Sequence, residues 1–237
     1  MTDPYKYTTI AFANREFLGP YSREAVLSLT QGLKGPVLDV GCGKGAVIRA
    51  IGQPAVGIDL NPSFVEASAQ ENPNAQFFAE DAKEALGKLT IQPNLIVCLG
   101  ASQAIGTPEE ALAYFSKLLQ PGGYLLFGDG IWERTPSQEY LEFLGAKEEE
   151  MPSFDQFRDA GRAYGLDPLK SYVSSPQDWD SFELSYYESM ITWCDEHPED
   201  PDAKPFRERA SKWWEMYQRE GRGVLGFAIV LFKKADF

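Results

Sequence analysis

The stretch Val37-Leu38-Asp39-Val40-Gly41-Cys42-Gly43-Lys44-Gly45 decides how this chain is read. Four residues of strand character run into three glycines at alternate positions, and Ala46–Gly52 then has helical character. Glycine is required where a turn takes positive φ and where a ligand lies directly on the backbone. Such a turn places a helix N-terminus at the carboxyl end of the first strand, where doubly wound sheets bind ligands. With Ala46 the turn also satisfies the relaxed dinucleotide pattern G-x-G-x-x-G/A, so it does not by itself choose between ligands.

Working outward, short apolar runs recur at Ala55–Ile58, Gln76–Ala79, Leu95–Leu99 and Tyr124–Phe127. Helical segments lie between them at Pro62–Glu71, Ala82–Leu89 and Pro108–Leu119, two of them opening on a proline at the first turn. Unbroken apolar runs alternating with helices predict a parallel sheet buried on both faces. Upstream, residues 1–35 read as an N-terminal helical segment. Downstream, Phe154–Tyr164 reads as a helix, Leu169–Val173 as a short strand and Val224–Phe232 as a central strand. Residues 176–220 are aromatic and helical, so they read as a cap inserted before the last strand of one domain spanning 1–237.

Bulk properties narrow the function classes. The chain has 237 residues and a formal net charge of −13, with no Lys/Arg cluster, which disfavours nucleic acid as a partner. Three cysteines (Cys42, Cys98, Cys194) have neither disulfide-framework nor metal-ligand spacing, and the single His197 sits among charged turn residues. No metal is expected. The first ten residues lack an apolar signal core and no apolar run reaches the roughly 20 residues of a membrane span, so the expectation is a cytoplasmic protein without a membrane partner. Oligomeric state is not legible.

Three carboxylates sharpen the ligand. Asp39 ends the first strand, Asp59 ends the second in Gly57-Ile58-Asp59-Leu60, and Asp81 follows the third in Glu80-Asp81-Ala82. An acid at the second strand end accepts from ribose hydroxyls, and Asp81 is placed to accept from an adenine amino group or to cap a helix. Clustered carboxylates disfavour a pyrophosphate and favour a cationic sulfonium bearing an ammonium.

These pieces, with Pro121-Gly122-Gly123 before a strand, resemble the class I S-adenosylmethionine-dependent methyltransferases over roughly residues 35–130. Gly128-Asp129-Gly130-Ile131-Trp132 and Trp179-Asp180 extend the resemblance toward a mostly uncharacterised bacterial subgroup of small-molecule enzymes. The resemblance implies a doubly wound, seven-stranded, mostly parallel Rossmann-like α/β sheet with an antiparallel last strand. It places Gly41, Cys42 and Gly43 beside the amino-acid part of S-adenosylmethionine, and Asp59 and Leu60 at the ribose. It puts Asp81 and Ala82 at the adenine, and Leu99 and Gly100 toward the sulfonium.

The acceptor side is less specific. The Asn/Asp-Pro-Pro-Tyr/Phe motif of base-amine and glutamine methyltransferases is absent from Leu99-Gly100-Ala101-Ser102-Gln103, which leaves a small-molecule acceptor. Substrate-site candidates are Gln103, Asp129, Trp132, Trp179, Tyr186 and Tyr187, with Glu133 and Arg134 beside them; burial in a hydrophobic core is the competing role for each aromatic. Two other readings stay open at this level. One is an NAD(P)-dependent oxidoreductase on a similar sheet, and the other a cofactor-binding protein without transfer activity.

Overall fold

The computed structural model describes residues 3–236; Met1, Thr2 and Phe237, within the expected 1–237 domain, lie outside the described residues. Seven strands form one sheet: β1 (Val37–Val40), β2 (Ala55–Asp59), β3 (Gln76–Ala79), β4 (Leu95–Leu99), β5 (Tyr124–Trp132), β6 (Leu166–Val173) and β7 (Leu225–Lys234). Their order is β3-β2-β1-β4-β5-β7-β6. The first five pair in parallel, and β7 runs antiparallel between β5 and β6. The chain winds outward one way from β1 and the other way from β4, so the switch point lies between these two strands.

Strand β1 is buried at all four positions, and its alternation sorts the core. Leu38 and Val40 join Ile96, Phe115, Phe127 and Phe232 on the face covered by α5 (Ala82–Lys88), α6 (Pro108–Leu118) and α8 (Phe154–Ala160). Val37 joins Val26, Val47, Val97 and Ile229 on the opposite face, under α2 (Arg23–Thr30) and α3 (Ala46–Ile51). Helices start where capping chemistry dictates. Asn61 caps α4 (Pro62–Glu71), and Thr107 caps α6 in a reciprocal box with Glu110. Ser137 caps α7 (Gln138–Leu144).

Several boundaries differ from the sequence expectation for physical reasons. The first 35 residues are not one helical segment: α1 (Lys6–Ala11) and α2 are separated by a non-helical stretch holding Gly19-Pro20. Strand β5 does not stop at Phe127 but pairs with β7 through Trp132. The extension passes through Gly128, a strand position that takes glycine because a Cβ there would meet Leu99, Phe227 and the Ala228 carbonyl at 2.9–3.1 Å. Strand β6 starts at Leu166 and absorbs Pro168 at a register irregularity on the sheet's edge. Between β6 and β7 the chain forms α9 (Pro176–Glu196), α10 (Ala203–Met216) and a π-turn over Tyr217–Gly221.

Phe232 on β7 is fully buried and fills the space left by Gly161. Phe232→Ala should lower unfolding free energy by about 3–5 kcal/mol in urea titrations, the cost of a cavity in a packed core.

Candidate active site

The glycine turn is held from beneath by β2. The amides of Gly41 and Cys42 both donate to the Ile58 carbonyl, at 2.8 and 3.0 Å, and Gly45 donates to Cys42 at 2.9 Å. Gly41, Gly43 and Gly45 all take positive φ, at 76°, 51° and 71°. A Cβ on Gly41 would lie 2.2 Å from the Ala101 Cβ, so the turns after β1 and β4 touch at the switch point.

Asp39 faces the α2/α3 side at the end of β1. It is 2% exposed, and its Oδ2 is buried with no hydrogen-bond partner among the described residues. Burial, reinforced by the neighbouring Asp59 charge, pushes its carboxyl up to about 8. A buried acceptor without a partner costs about 1–3 kcal/mol. Asp59 is better satisfied: Oδ2 accepts from Gly43 N at 2.9 Å and Oδ1 from Asn61 N at 2.8 Å, while burial still raises its pKa. Leu60, the next residue, leaves 50% of its surface exposed at the mouth. Asp81 takes the helix-cap role at α5, Oδ1 accepting from Lys83 N and Glu84 N. It is exposed, and its second oxygen has no partner among the described hydrogen bonds.

This arrangement is hostile to a pyrophosphate. Four amides of the turn are already bonded within the protein, and the Lys44 ammonium is turned onto the Phe12 and Ala13 carbonyls at 2.8 and 3.2 Å. The group that faces the turn is the Asp39 carboxyl, which an adjacent cation would ionise. An ammonium fits that position and an anion does not.

The segment between α1 and α2 covers the turn. Leu18 lies on Gly43, where a Cβ would be 2.6 Å from Leu18 Cδ1. Arg15 donates to the Phe17 carbonyl and to Ser181 on α9, joining the segment to the cap. The crevice enclosed by Phe17, Leu18, Tyr21, Asp39, Gly41 and Leu99 is only about 30 Å³, room for about one water. A larger open groove of about 910 Å³ lies beyond the end of β5, lined by Trp132, Glu133, Glu148–Glu150 and Met151; it shares no residue with the glycine turn.

The acceptor-side candidates do not form one cluster. Asp129, whose carboxyl pKa burial raises, accepts a hydrogen bond from the Ser102 hydroxyl and a second from its neighbour Gly130 N. Gln103 is exposed, with only a long contact to the Gly100 carbonyl at 3.5 Å. Trp132 donates to the Glu148 carbonyl and packs edge-on against Tyr140. Arg134 donates to the Gly223 and Arg222 carbonyls. Tyr186 bonds the Tyr7 hydroxyl and Tyr187 stacks on Trp214, tying α9 to α1 and α10. Trp179 differs. It joins Phe17, Tyr21, Cys42 and Phe227 in one core cluster, and its indole N–H is buried without an acceptor.

Glu183 escaped the sequence reading. It is 3% exposed, and its Oε2 accepts from Trp213 Nε1 at 2.7 Å. Burial pushes its carboxyl up to about 7. The available signal was a carboxylate set inside the aromatic stripe Trp179–Phe182–Tyr186–Met190.

Residues 38–125 match the family model described as a methyltransferase domain. That match spans little more than a third of the chain, and the seven-stranded sheet is the Rossmann-like fold of solved S-adenosylmethionine-dependent methyltransferases. Along its whole length it is similar to YjhP of Escherichia coli, itself uncharacterised, at 24% identity over 94% of this chain and 96% of that protein. Two S-adenosylmethionine-dependent methyltransferases solved with S-adenosylhomocysteine share the fold. The Geobacter sulfurreducens structure has a TM-score of 0.88 at 21% identity, covering 98% of this chain and 99% of that one. The Thiobacillus denitrificans structure has a TM-score of 0.87 at 23% identity with the same coverage. A ubiquinone biosynthesis O-methyltransferase of Saccharophagus degradans is 26% identical over 47% of this chain and 49% of its own length. No helix among the described residues is long and apolar enough to cross a membrane.

Asp39 supplies a pH test of the folded protein alone. Its carboxyl is raised above the unfolded value near 4, so the stability contributed by the neutral acid is complete below pH 4 and is lost as pH rises toward 8. Asp39→Asn should match wild type in urea unfolding at pH 4 and exceed it by about 2 kcal/mol or more at pH 8. Parallel curves at both pH values would remove the buried charge from the account.

Proposed function

We propose that the chain binds S-adenosylmethionine across the carboxyl ends of β1, β2 and β3 and transfers its methyl group to a small-molecule acceptor beneath the cap. The observation that carries this reading is the unpaired, buried Asp39 oxygen beside a turn of bare backbone. A cationic amino-acid head is the partner that such a group lacks.

In this reading Gly41, Cys42 and Gly43 present backbone to the amino-acid part and Asp39 accepts from its ammonium. Each Asp59 oxygen accepts one backbone N–H and keeps a lone pair for a ribose hydroxyl. Leu60 offers apolar surface to the base, and the free oxygen of Asp81, with Ala82, takes the adenine edge. Leu99 and Gly100 lie toward the sulfonium at the switch point. When bound, S-adenosylmethionine supplies an electrophilic methyl carbon, so the protein's task is positioning and exclusion of water. Residues 12–21 do the excluding.

The acceptor would meet the cofactor between this segment, the β4 and β5 ends and α9. Ser102 and Asp129 brace that edge, Gln103 stands at its mouth and Trp179 faces it from the cap. The overall negative charge favours a small acceptor over a nucleic acid.

Calorimetric titration with S-adenosylhomocysteine tests the site. Wild type should bind it and ignore NADH, and Asp59→Ala should weaken binding at least about tenfold, the loss of one charge-assisted hydrogen bond or more. Because Asp59 also ties down Gly43 and Asn61, the variant's melting is measured alongside. A folded variant with unchanged affinity would remove Asp59 from the ribose. Affinity should also rise with pH up to about 8, since binding needs the Asp39 carboxylate, and this rise should vanish in Asp39→Asn.

A further inference from the structure

Two polar side chains of the crevice at the glycine turn are left without partners, and their hydrogen-bonding characters are opposite. One is Asp39, whose Oδ2 is a buried acceptor with no donor among the described residues. The other is Tyr21, which lines the same crevice and is 8% exposed. Its hydroxyl makes no hydrogen bond among the described residues; what acts on it is burial first, then its neighbours Asp39, Arg15 and Cys98. Burial and the Asp39 carboxyl both push the phenol up, so it stays protonated and able to donate. Tyr21 and Asp39 are thus near enough to sense each other, yet no bond joins them.

The other polar side chains that line the crevice are committed elsewhere. Glu16 is paired with Arg49 at 2.8 Å, Lys44 donates to the Phe12 and Ala13 carbonyls, and the Cys42 thiol donates weakly to the Gly43 carbonyl. Arg15, whose charge acts on Tyr21, donates to the carbonyls of Phe17, Gly19 and Ser181. Packing asks for the Tyr21 ring but not for its hydroxyl. The ring stacks on Phe227 with centroids 5.7 Å apart and meets Phe17 edge-on at 5.8 Å. It also lies on Gly19, where a Cβ would be 2.3 Å from Tyr21 Cε1. A phenylalanine would make each of these contacts. They fix the ring, and with it a polar group that is costly to leave unmet.

An acceptor and a donor on one crevice match the two ends of an amino-acid head. An ammonium has only protons to give, and a carboxylate only lone pairs. Both sit on one carbon, with about 2.5 Å between the nitrogen and the carboxyl carbon. An ammonium on Asp39 therefore brings its carboxylate into the same crevice, where the Tyr21 hydroxyl is the side-chain donor without a partner. Resting on the S-adenosylmethionine reading of this crevice, we propose that the Tyr21 hydroxyl holds the carboxylate of the cofactor's amino-acid head while Asp39 holds the ammonium. The two side chains together read a zwitterion. The site then selects the adenosyl sulfonium that keeps its α-carboxylate over the decarboxylated one, a choice that Asp39 alone has no means to make.

The alternative is that the Tyr21 hydroxyl meets only water. Calorimetric titration with S-adenosylmethionine and with decarboxylated S-adenosylmethionine separates the two roles. The second ligand keeps the adenosine, the sulfonium and the ammonium and lacks only the carboxylate. Wild type should bind S-adenosylmethionine at least about tenfold more tightly than the decarboxylated form, the worth of a hydrogen bond to a charged group. Tyr21→Phe keeps the ring contacts, so its melting temperature should stay at the wild-type value. In that variant S-adenosylmethionine should weaken at least about tenfold while the decarboxylated form stays within about twofold, so the preference disappears. Asp39→Asn should weaken both ligands alike, because each keeps the ammonium. A Tyr21→Phe protein that leaves both affinities unchanged, or weakens the two ligands by the same factor, overturns the proposal. So does a wild type that binds both ligands equally well. Those results leave the cofactor reading standing; a wild type that binds neither ligand brings down that reading and this proposal with it.

Discussion

A carboxylate forced out of water at the end of β1 organises the rest of the molecule. Among the described residues Asp39 has no ion-pair partner and no donor for one of its oxygens, and Asp59 stands near enough to repel it. A chain selected for stability alone would replace it with a neutral side chain. Asp39 sits at the topological switch point, beneath three glycines of positive φ, where a cationic ligand would relieve it. The turn, the β2 carbonyl that anchors it and the contact between Gly41 and Ala101 keep that carboxylate at the floor of the crevice.

The coverings follow from the same constraint. A charged ligand held by a buried carboxylate must be kept dry for the interaction to be strong. The stretch from Phe12 to Tyr21 serves this purpose. Leu18 lies on the turn, Lys44 grips the backbone of Phe12 and Ala13, and Arg15 reaches Ser181 on α9. Cofactor crevice and cap are thereby linked through one segment, and α9 brings Trp179 into the cluster that surrounds the turn. The α9–α10 pair is tied to α1 by Tyr7 with Tyr186 and Phe206, and by Lys6 with Asp200 and Asp202.

The core of this architecture was legible in the sequence because its signals are local. A strand buried on both faces is apolar at nearly every position, and a glycine turn has no cheaper substitute, so β1, β2, β4 and the turn could be placed almost to the residue. What misled was chemistry decided by distant neighbours. The apolar run ends at Phe127, yet Gly128 and Gly130 are strand residues beside Phe227 and Met151. Tyr186 and Tyr187 lie on the same aromatic helix as Trp179, but only packing against α1 and α10 tells that their side chains are occupied while the indole N–H of Trp179 is not. Glu183 was overlooked because an isolated acid on a helix usually faces solvent; its burial depends on Trp213 thirty residues away.

The central claim concerns the charge state of one carboxyl group, and carbon-13 NMR of aspartate-labelled protein reads it directly. The account predicts that the Asp39 carboxyl titrates near pH 8 in the free protein and becomes ionised well below neutrality once saturated with S-adenosylhomocysteine. A carboxyl resonance that is indifferent to the ligand, or one already ionised at pH 5 in the free protein, would contradict it.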